Sequence, residues 1–256
     1  MVNYLLKKSY RLKDLKEVEF NDLWGDQGVF TTMWIFESPP KILFFKEHIN
    51  NLLKSTKSYS ISKPSLKSDI LKLLKDNLKL KKKYNHLLRI AVNKKTLSIS
   101  LRKRIKPNLN FDLKLVNLKR HKPEFKNLKY EEILKHLSKL NNSRSDIGLC
   151  SNKKIFETGT SNLLFIKNNK IFSPKDKFYK GITYKFFKSK IKRIVQKDIL
   201  ISSLNEFDEI LLVGSGKGVA SVKTISKYKW NRKSLKFYNI LLKYYKSAIN
   251  NYPRYR

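Results

Sequence analysis

The stretch Lys154-Ile-Phe-Glu157-Thr-Gly-Thr-Ser-Asn162-Leu-Leu-Phe-Ile-Lys-Asn-Asn-Lys-Ile-Phe-Ser173-Pro174 constrains this chain more than any other. Ile155-Phe156, Leu163 to Ile166 and Ile171-Phe172 are short apolar runs of the kind that form strands. Asn168-Asn169 separates the last two, and asparagine tolerates the backbone that a tight turn demands. The segment therefore reads as strand, turn, strand, hairpin turn, strand. Glu157 sits at the end of the first strand, directly before the polar turn Thr158-Gly-Thr-Ser-Asn162.

The rest of the chain supplies further strands and amphipathic helices. Asn3 to Leu6 reads as a short strand. Gly28 to Phe36 is an aromatic and β-branched strand stopped by Pro39-Pro40. Phe45 to Ser58 places Ile49, Leu52 and Leu53 at helical spacing. Ser65 to Leu80 does the same with Leu66, Ile70, Leu73, Leu74 and Leu78, with Ser65 as N-cap. His86–Asn93 and Thr96–Arg102 are strands joined at Lys94-Lys95. The basic run Arg102-Lys-Arg-Ile-Lys-Pro107 breaks the pattern and marks a boundary between a domain over 1–105 and one over 106–256. Beyond it, Phe111–Val116 and Ile147–Cys150 suit strands and Tyr130–Leu140 a helix. Ile182–Val195 suits a basic helix, and Glu209–Val213 a buried strand ending in Gly214-Ser-Gly-Lys-Gly218. Leu235–Ile249 is a closing helix. The expectation is an α+β protein of two lobes.

Composition narrows the class. The 256 residues are 41% hydrophobic, enough for packed cores. No run approaches the roughly 18 uncharged apolar residues that span a bilayer, and the start of the chain lacks a signal-peptide pattern. Cys150 is the single cysteine, so neither an internal disulfide nor a cysteine metal cluster can form. The four histidines, His48, His86, His121 and His136, stand in no ligand pattern, so no metal is expected. These features point to a cytoplasmic protein. Lys plus Arg number 57 against 20 acids, a net charge of +37. The lysines are spread along the chain and interrupted by acids, as compositional drift produces. They attract anionic small molecules and favour incidental nucleic-acid binding. Gly214-Ser-Gly-Lys-Gly218 lacks the spacing of a nucleotide-binding loop.

Four separated segments, in order, resemble the class IV aminotransferase family. Trp24-Gly-Asp-Gln-Gly-Val-Phe-Thr-Thr32 is similar to its Tyr-Gly-Asp-Gly-Val-Phe-Glu-Thr signature, with Gln27 as an extra residue. The Phe-Thr-Thr ending is closer to the aminodeoxychorismate lyase branch. Phe125-Lys126-Asn-Leu-Lys-Tyr130, read as opening a helix, resembles the segment that carries the cofactor lysine. The stretch from Glu157 resembles Glu-Gly-Ser-Ser-Asn-Leu-Phe, a hairpin and Thr-Pro. Gly181-Ile182-Thr183 and Asp208 to Val222 resemble the family's two phosphate-binding turns.

The resemblance implies a pyridoxal 5'-phosphate (PLP) enzyme of fold type IV, like D-amino-acid aminotransferase. It would have a smaller N-terminal α/β lobe, a larger C-terminal lobe, and a homodimer as its working form. Lys126 would hold the cofactor covalently and act as base, with Lys122 and Lys129 as rivals. Glu157 would face the pyridine nitrogen. Tyr130, Thr160, Ser161, Ile182, Thr183, Gly214 and Ser215 would line the cofactor, and Asn162 would brace the turn. In one departure, the arginine that follows the family's helix histidine is Asn51 here, after His48.

The implied reaction converts 4-amino-4-deoxychorismate to 4-aminobenzoate and pyruvate in folate biosynthesis. A branched-chain or D-amino-acid transaminase is the alternative within the family. A cationic RNA-binding protein is the alternative outside it, supported by Tyr244, Tyr245, Tyr252 and Tyr255 among C-terminal cations.

Overall fold

The computed structural model describes residues 4–255. The chain divides into two compact units. One takes the chain up to Arg104, with Phe125–Tyr130 and the residues from Tyr252 on; the other takes Ile105–Glu124 and Glu131–Asn251.

Among the described residues, the first unit is built on a six-stranded antiparallel sheet. Its strands are β1 (Tyr4–Arg11), β2 (Glu17–Val18), β3 (Gly28–Glu37), β4 (Lys41–Ile42), β5 (Tyr84–Asn93) and β6 (Thr96–Lys103), in the order β2-β1-β6-β5-β3-β4. Helices α1 (Phe45–Lys57) and α2 (Leu66–Asn77) follow β4. Side chains alternate across a strand. Val29, Met33 and Ile35 of β3, Leu88, Ile90 and Val92 of β5, and Leu97, Ile99 and Leu101 of β6 enter one core with Ile49 and Leu52 of α1 and Ile70 and Leu74 of α2. Phe30, Arg89 and Arg102 are thereby placed on the other face. Asn3, expected to open the first strand, lies outside the described residues. Ser65 makes no side-chain cap on α2; its hydroxyl donates to Asp69 instead.

The second unit carries a mixed sheet. Its strands are β7 (Asn110–Asn117), β8 (Ser145–Ser151), β9 (Lys154–Thr158), β10 (Asn162–Lys167), β11 (Lys170–Pro174), β12 (Ile194–Lys197), β13 (Ile199–Leu200), β14 (Glu209–Gly214), β15 (Gly218–Ile225) and β16 (Trp230–Asn231). The order is β12-β11-β10-β14-β15-β7-β8-β9-β13, with β16 on β15. Helices α3 (Glu131–Leu137), α4 (Ile182–Lys190) and α5 (Lys236–Asn250) complete it. Phe111, Phe165, Phe207, Leu212, Val222 and Trp230 centre the core.

Three expectations are corrected. The helix predicted over Ile182–Val195 stops at Lys190, because Ile194 and Val195 pair in parallel with Ile171 and Phe172. Lys126 does not open a helix. Its segment runs beside β3, and α3 begins only at Glu131. The first unit's opening stretch ends at Arg104, yet Lys126 groups with that unit rather than with 106–256. Main-chain bonds from Phe30 N to Lys126 O and from Leu128 N to Gly28 O account for that.

Candidate active site

In the first unit the main chain fixes Lys126. Phe30 N donates to Lys126 O at 2.9 Å, Leu128 N to Gly28 O at 3.0 Å and Gly25 N to Leu128 O at 3.0 Å. A Cβ on Gly28 would lie 2.4 Å from Val92 O and 2.7 Å from Leu128 Cδ1, so only glycine lets the segment approach this closely. Lys126 is half-buried with its ammonium 5.0 Å from the centre of the Phe30 ring, whereas Lys122 and Lys129 are exposed.

Beside it, Thr31 Oγ1 and His48 Nδ1 meet at 2.7 Å, both buried. Burial, and then the charge of Lys126, lowers the His48 pKa to about 3. The imidazole is therefore neutral at physiological pH and adds no charge next to the lysine. Tyr130 is buried and stacks on Trp24 at 5.4 Å, and Trp24 meets Phe30 edge-on at 4.9 Å.

Sequence reasoning missed Arg89 on β5. Its guanidinium lies 3.7 Å from the centre of the Trp24 ring, and Nη2 donates to Asp22 O at 2.7 Å. Nε is buried with no hydrogen-bond partner. Burial brings the pKa down to about 10; Asp22 opposes that fall and Arg102 adds to it. Arg89 stays charged at neutral pH, with an aromatic wall behind it and donor capacity to spare. Such a group suits an anionic ligand.

In the second unit Glu157 is the next-to-last residue of β9, with its side chain 3% exposed. Arg120, also missed, grips it with two bonds: Nε to Oε1 at 2.9 Å and Nη2 to Oε2 at 3.2 Å. Tyr179 lies close by. Burial raises its pKa strongly, Arg120 opposes that and Glu157 adds to it, so the phenol stays neutral.

Three chain turns meet in this unit. In the first, Thr158 Oγ1 and Thr160 Oγ1 each donate to Asp146 Oδ2 at 2.8 Å, and Ser161 N donates to Thr158 Oγ1 at 2.8 Å. Asn162 links it to the second, accepting from Gly181 N at 3.0 Å and donating to Tyr179 O. Gly181 is the N-cap of α4 and Ile182 and Thr183 form its first turn. The third turn joins β14 to β15. A Cβ on Gly214 would lie 2.9 Å from Ser161 Oγ, which shows how closely that turn rests on the first. Ser215, half-buried, follows it.

The structure thus groups Glu157, Thr160, Ser161, Ile182, Thr183, Gly214 and Ser215 in one unit, and Lys126 and Tyr130 in the other.

One observation tests whether a phosphate fits this set. Thr183 Oγ1 is buried at a helix N-terminus without a partner. A buried hydroxyl left unbonded is costly, and N-terminal N–H groups attract phosphate. The residues fit the phosphate of PLP. No group of three or more metal-ligating side chains occurs among the described residues, and no described helix is long and apolar enough to cross a membrane. Of the tyrosines that suggested an RNA face, Tyr244 is exposed and the other three are packed. Tyr245 is buried, Tyr252 packs edge-on against Phe44 and Tyr255 against Phe45.

The class IV amino-transferase family model matches residues 28–225. Among solved structures, a branched-chain aminotransferase of the archaeon Thermoproteus uzoniensis with norvaline is similar at a TM-score of 0.79 and 14% identity, over 97% of this chain and 96% of that one. A candidate 4-amino-4-deoxychorismate lyase of Legionella pneumophila is similar at 0.71 and 17%, over 87% and 91%. A hypothetical aminotransferase of Mycobacterium tuberculosis in its PLP-bound form is similar at 0.70 and 13%, over 95% and 99%. No curated protein matches. At such identities the likeness shows the fold, which is PLP fold type IV. Pyridoxal phosphate is the cofactor typical of the family. With residues 28–225 matched by its model, the chain belongs to the class IV aminotransferases and is a PLP enzyme of that type.

Proposed function

We propose that the protein is an aminodeoxychorismate lyase, releasing 4-aminobenzoate and pyruvate from 4-amino-4-deoxychorismate. The observation that carries this reading is the Phe30-Thr31-Thr32 run on β3. The transaminase pattern has a glutamate in this run, as Phe-Glu-Thr, where this chain has a threonine; Thr31 is a buried hydroxyl bonded to the neutral His48. Arg89 supports it. The substrate carries two carboxylates, and a buried, charged guanidinium with an unpartnered Nε suits one of them.

Each residue has a role in the chemistry. Lys126 Nζ holds the cofactor covalently at rest. The same nitrogen, once free, would take the proton from the ring carbon that bears the substrate amine. When bound, the cofactor supplies an electron sink for the reacting carbon. Glu157, fixed by Arg120, presents a carboxylate to the pyridine nitrogen. Thr160, Ser161, Ile182, Thr183, Gly214 and Ser215 bind the phosphate end through hydroxyls and main-chain N–H groups, and Tyr130 adds an aromatic wall. Loss of the enolpyruvyl group as pyruvate leaves an aromatic ring, which drives the reaction forward.

The experiment has two arms. Borohydride reduction and peptide mapping should find the pyridoxyl group on Lys126; a label on Lys122 or Lys129 overturns that assignment. A coupled assay should detect pyruvate from aminodeoxychorismate. Keto-acid formation from amino acids, with no pyruvate from aminodeoxychorismate, would identify a transaminase instead.

A further inference from the structure

Asp146 is a fully buried carboxylate among the turns assigned above to the phosphate. It accepts from Ile147 N at 2.8 Å on Oδ1, and from Thr158 and Thr160 on Oδ2. A negative charge here opposes the binding of a phosphate dianion. Lys217, in the β14–β15 turn two residues after Ser215, answers it. Its ammonium lies 2.9 Å from Asp146 Oδ2 and 2.5 Å from Thr160 Oγ1, and its side chain is only 11% exposed. One lysine thus touches both the buried acid and a hydroxyl of the first turn. Its own turn rests on Ser161 through Gly214. The resemblance places Asn51, a neutral side chain, where the family has its phosphate-binding arginine.

We propose that Lys217 is the cation of the phosphate cradle: it cancels the charge of Asp146 and makes the turns accept the phosphate that Asn51 cannot attract. This rests on the PLP reading above. Pairing of a buried charge is needed for folding as well, so the lysine has a plain structural role from which the binding role must be separated. The two differ in what the ligand must carry. A structural brace serves PLP and pyridoxal alike, whereas a phosphate cation serves only PLP.

The test is a spectroscopic titration of apo-protein with PLP and with pyridoxal, which lacks the phosphate. Lys217→Met is expected to weaken PLP at least tenfold while changing pyridoxal less than about twofold. Lys217→Arg should retain most of the PLP affinity. Asp146→Asn should bind PLP as tightly as wild type or more tightly, because it removes the opposing charge. If Lys217→Met does not fold, the double variant Lys217→Met/Asp146→Asn removes both charges at once. It should fold and show a smaller PLP preference than Asp146→Asn alone. Equal losses for PLP and pyridoxal, or equal losses of PLP in Lys217→Met and Asp146→Asn, would overturn the proposal. A wild-type protein that binds no PLP would overturn the functional reading itself, and this inference with it.

Discussion

Arg120 holds Glu157 by both carboxylate oxygens, with the two side chains 4% and 3% exposed. The fork fixes the orientation of the acid through two charge-assisted bonds. Removing one member leaves the other charged and buried. Arg120→Leu is therefore expected to cost about 3–5 kcal/mol of stability. Urea unfolding of wild type, Arg120→Leu and the double variant Arg120→Leu/Glu157→Leu checks this. The double variant should recover much of the loss, and a single variant as stable as wild type would contradict the pairing.

His48 makes stability depend on pH. Its pKa is about 3 in the folded chain against an ordinary 6.5. Between those values the unfolded chain binds a proton that the folded chain refuses, so stability falls as pH drops below 6.5 and is untouched above it. Each unit inside the window costs about 1.4 kcal/mol, or about 2 kcal/mol by pH 5. His48→Gln keeps a polar partner for Thr31 and should lose that component. Equal falls in urea stability between pH 7 and 5 for variant and wild type would rule it out.

Thr183 separates ligand binding from stability. Its buried hydroxyl has no partner in the protein, so Thr183→Val should leave the apo-protein as stable or slightly more stable. The same change should weaken PLP about 10–100-fold, since a hydrogen bond to a charged group contributes about 1.5–3 kcal/mol. Thermal melts with and without PLP read both effects. A destabilised apo-variant with normal PLP affinity would place the hydroxyl outside the phosphate site.

Arg89→Leu keeps an apolar side chain on β5 but removes both the charge and the guanidinium that lies over Trp24. The expectation is a KM for aminodeoxychorismate raised about 10–100-fold, from one lost charge-assisted contact. PLP affinity should be nearly unchanged. Steady-state kinetics and a PLP titration together decide it; a loss confined to PLP binding would reassign the arginine to the cofactor.

Much of the fold was legible because long apolar patterns have one solution. The strands from Gly28 and from Thr96, and the helices from Phe45 and Lys236, follow their periodicity. Asn168 and Asn169 take the left-handed backbone that their turn required, at φ 50° and 57°. Ile194-Val195 misled because two apolar residues fit a helical face and a strand equally well; the parallel partner on β11 decided for the strand. Arg120 carried no local signal, being one cation in a chain of many. Arg89 did carry one: it interrupts the apolar run Leu87 to Val92, between Leu88 and Ile90 of the core. A charge that interrupts an otherwise apolar, buried strand marks a site.

The chain changes unit four times, after Arg104, Glu124, Tyr130 and Asn251. Lys126 thus stands on six residues whose neighbours on both sides belong to the other unit. No single proteolytic nick or gene truncation can release the first unit intact. A fragment ending at Arg104 would lack the peptide that bonds to Gly28 and Phe30, and with it the lysine. Splitting the gene there and co-expressing the halves would make recovery of PLP binding a direct report that residues 125–130 have found β3.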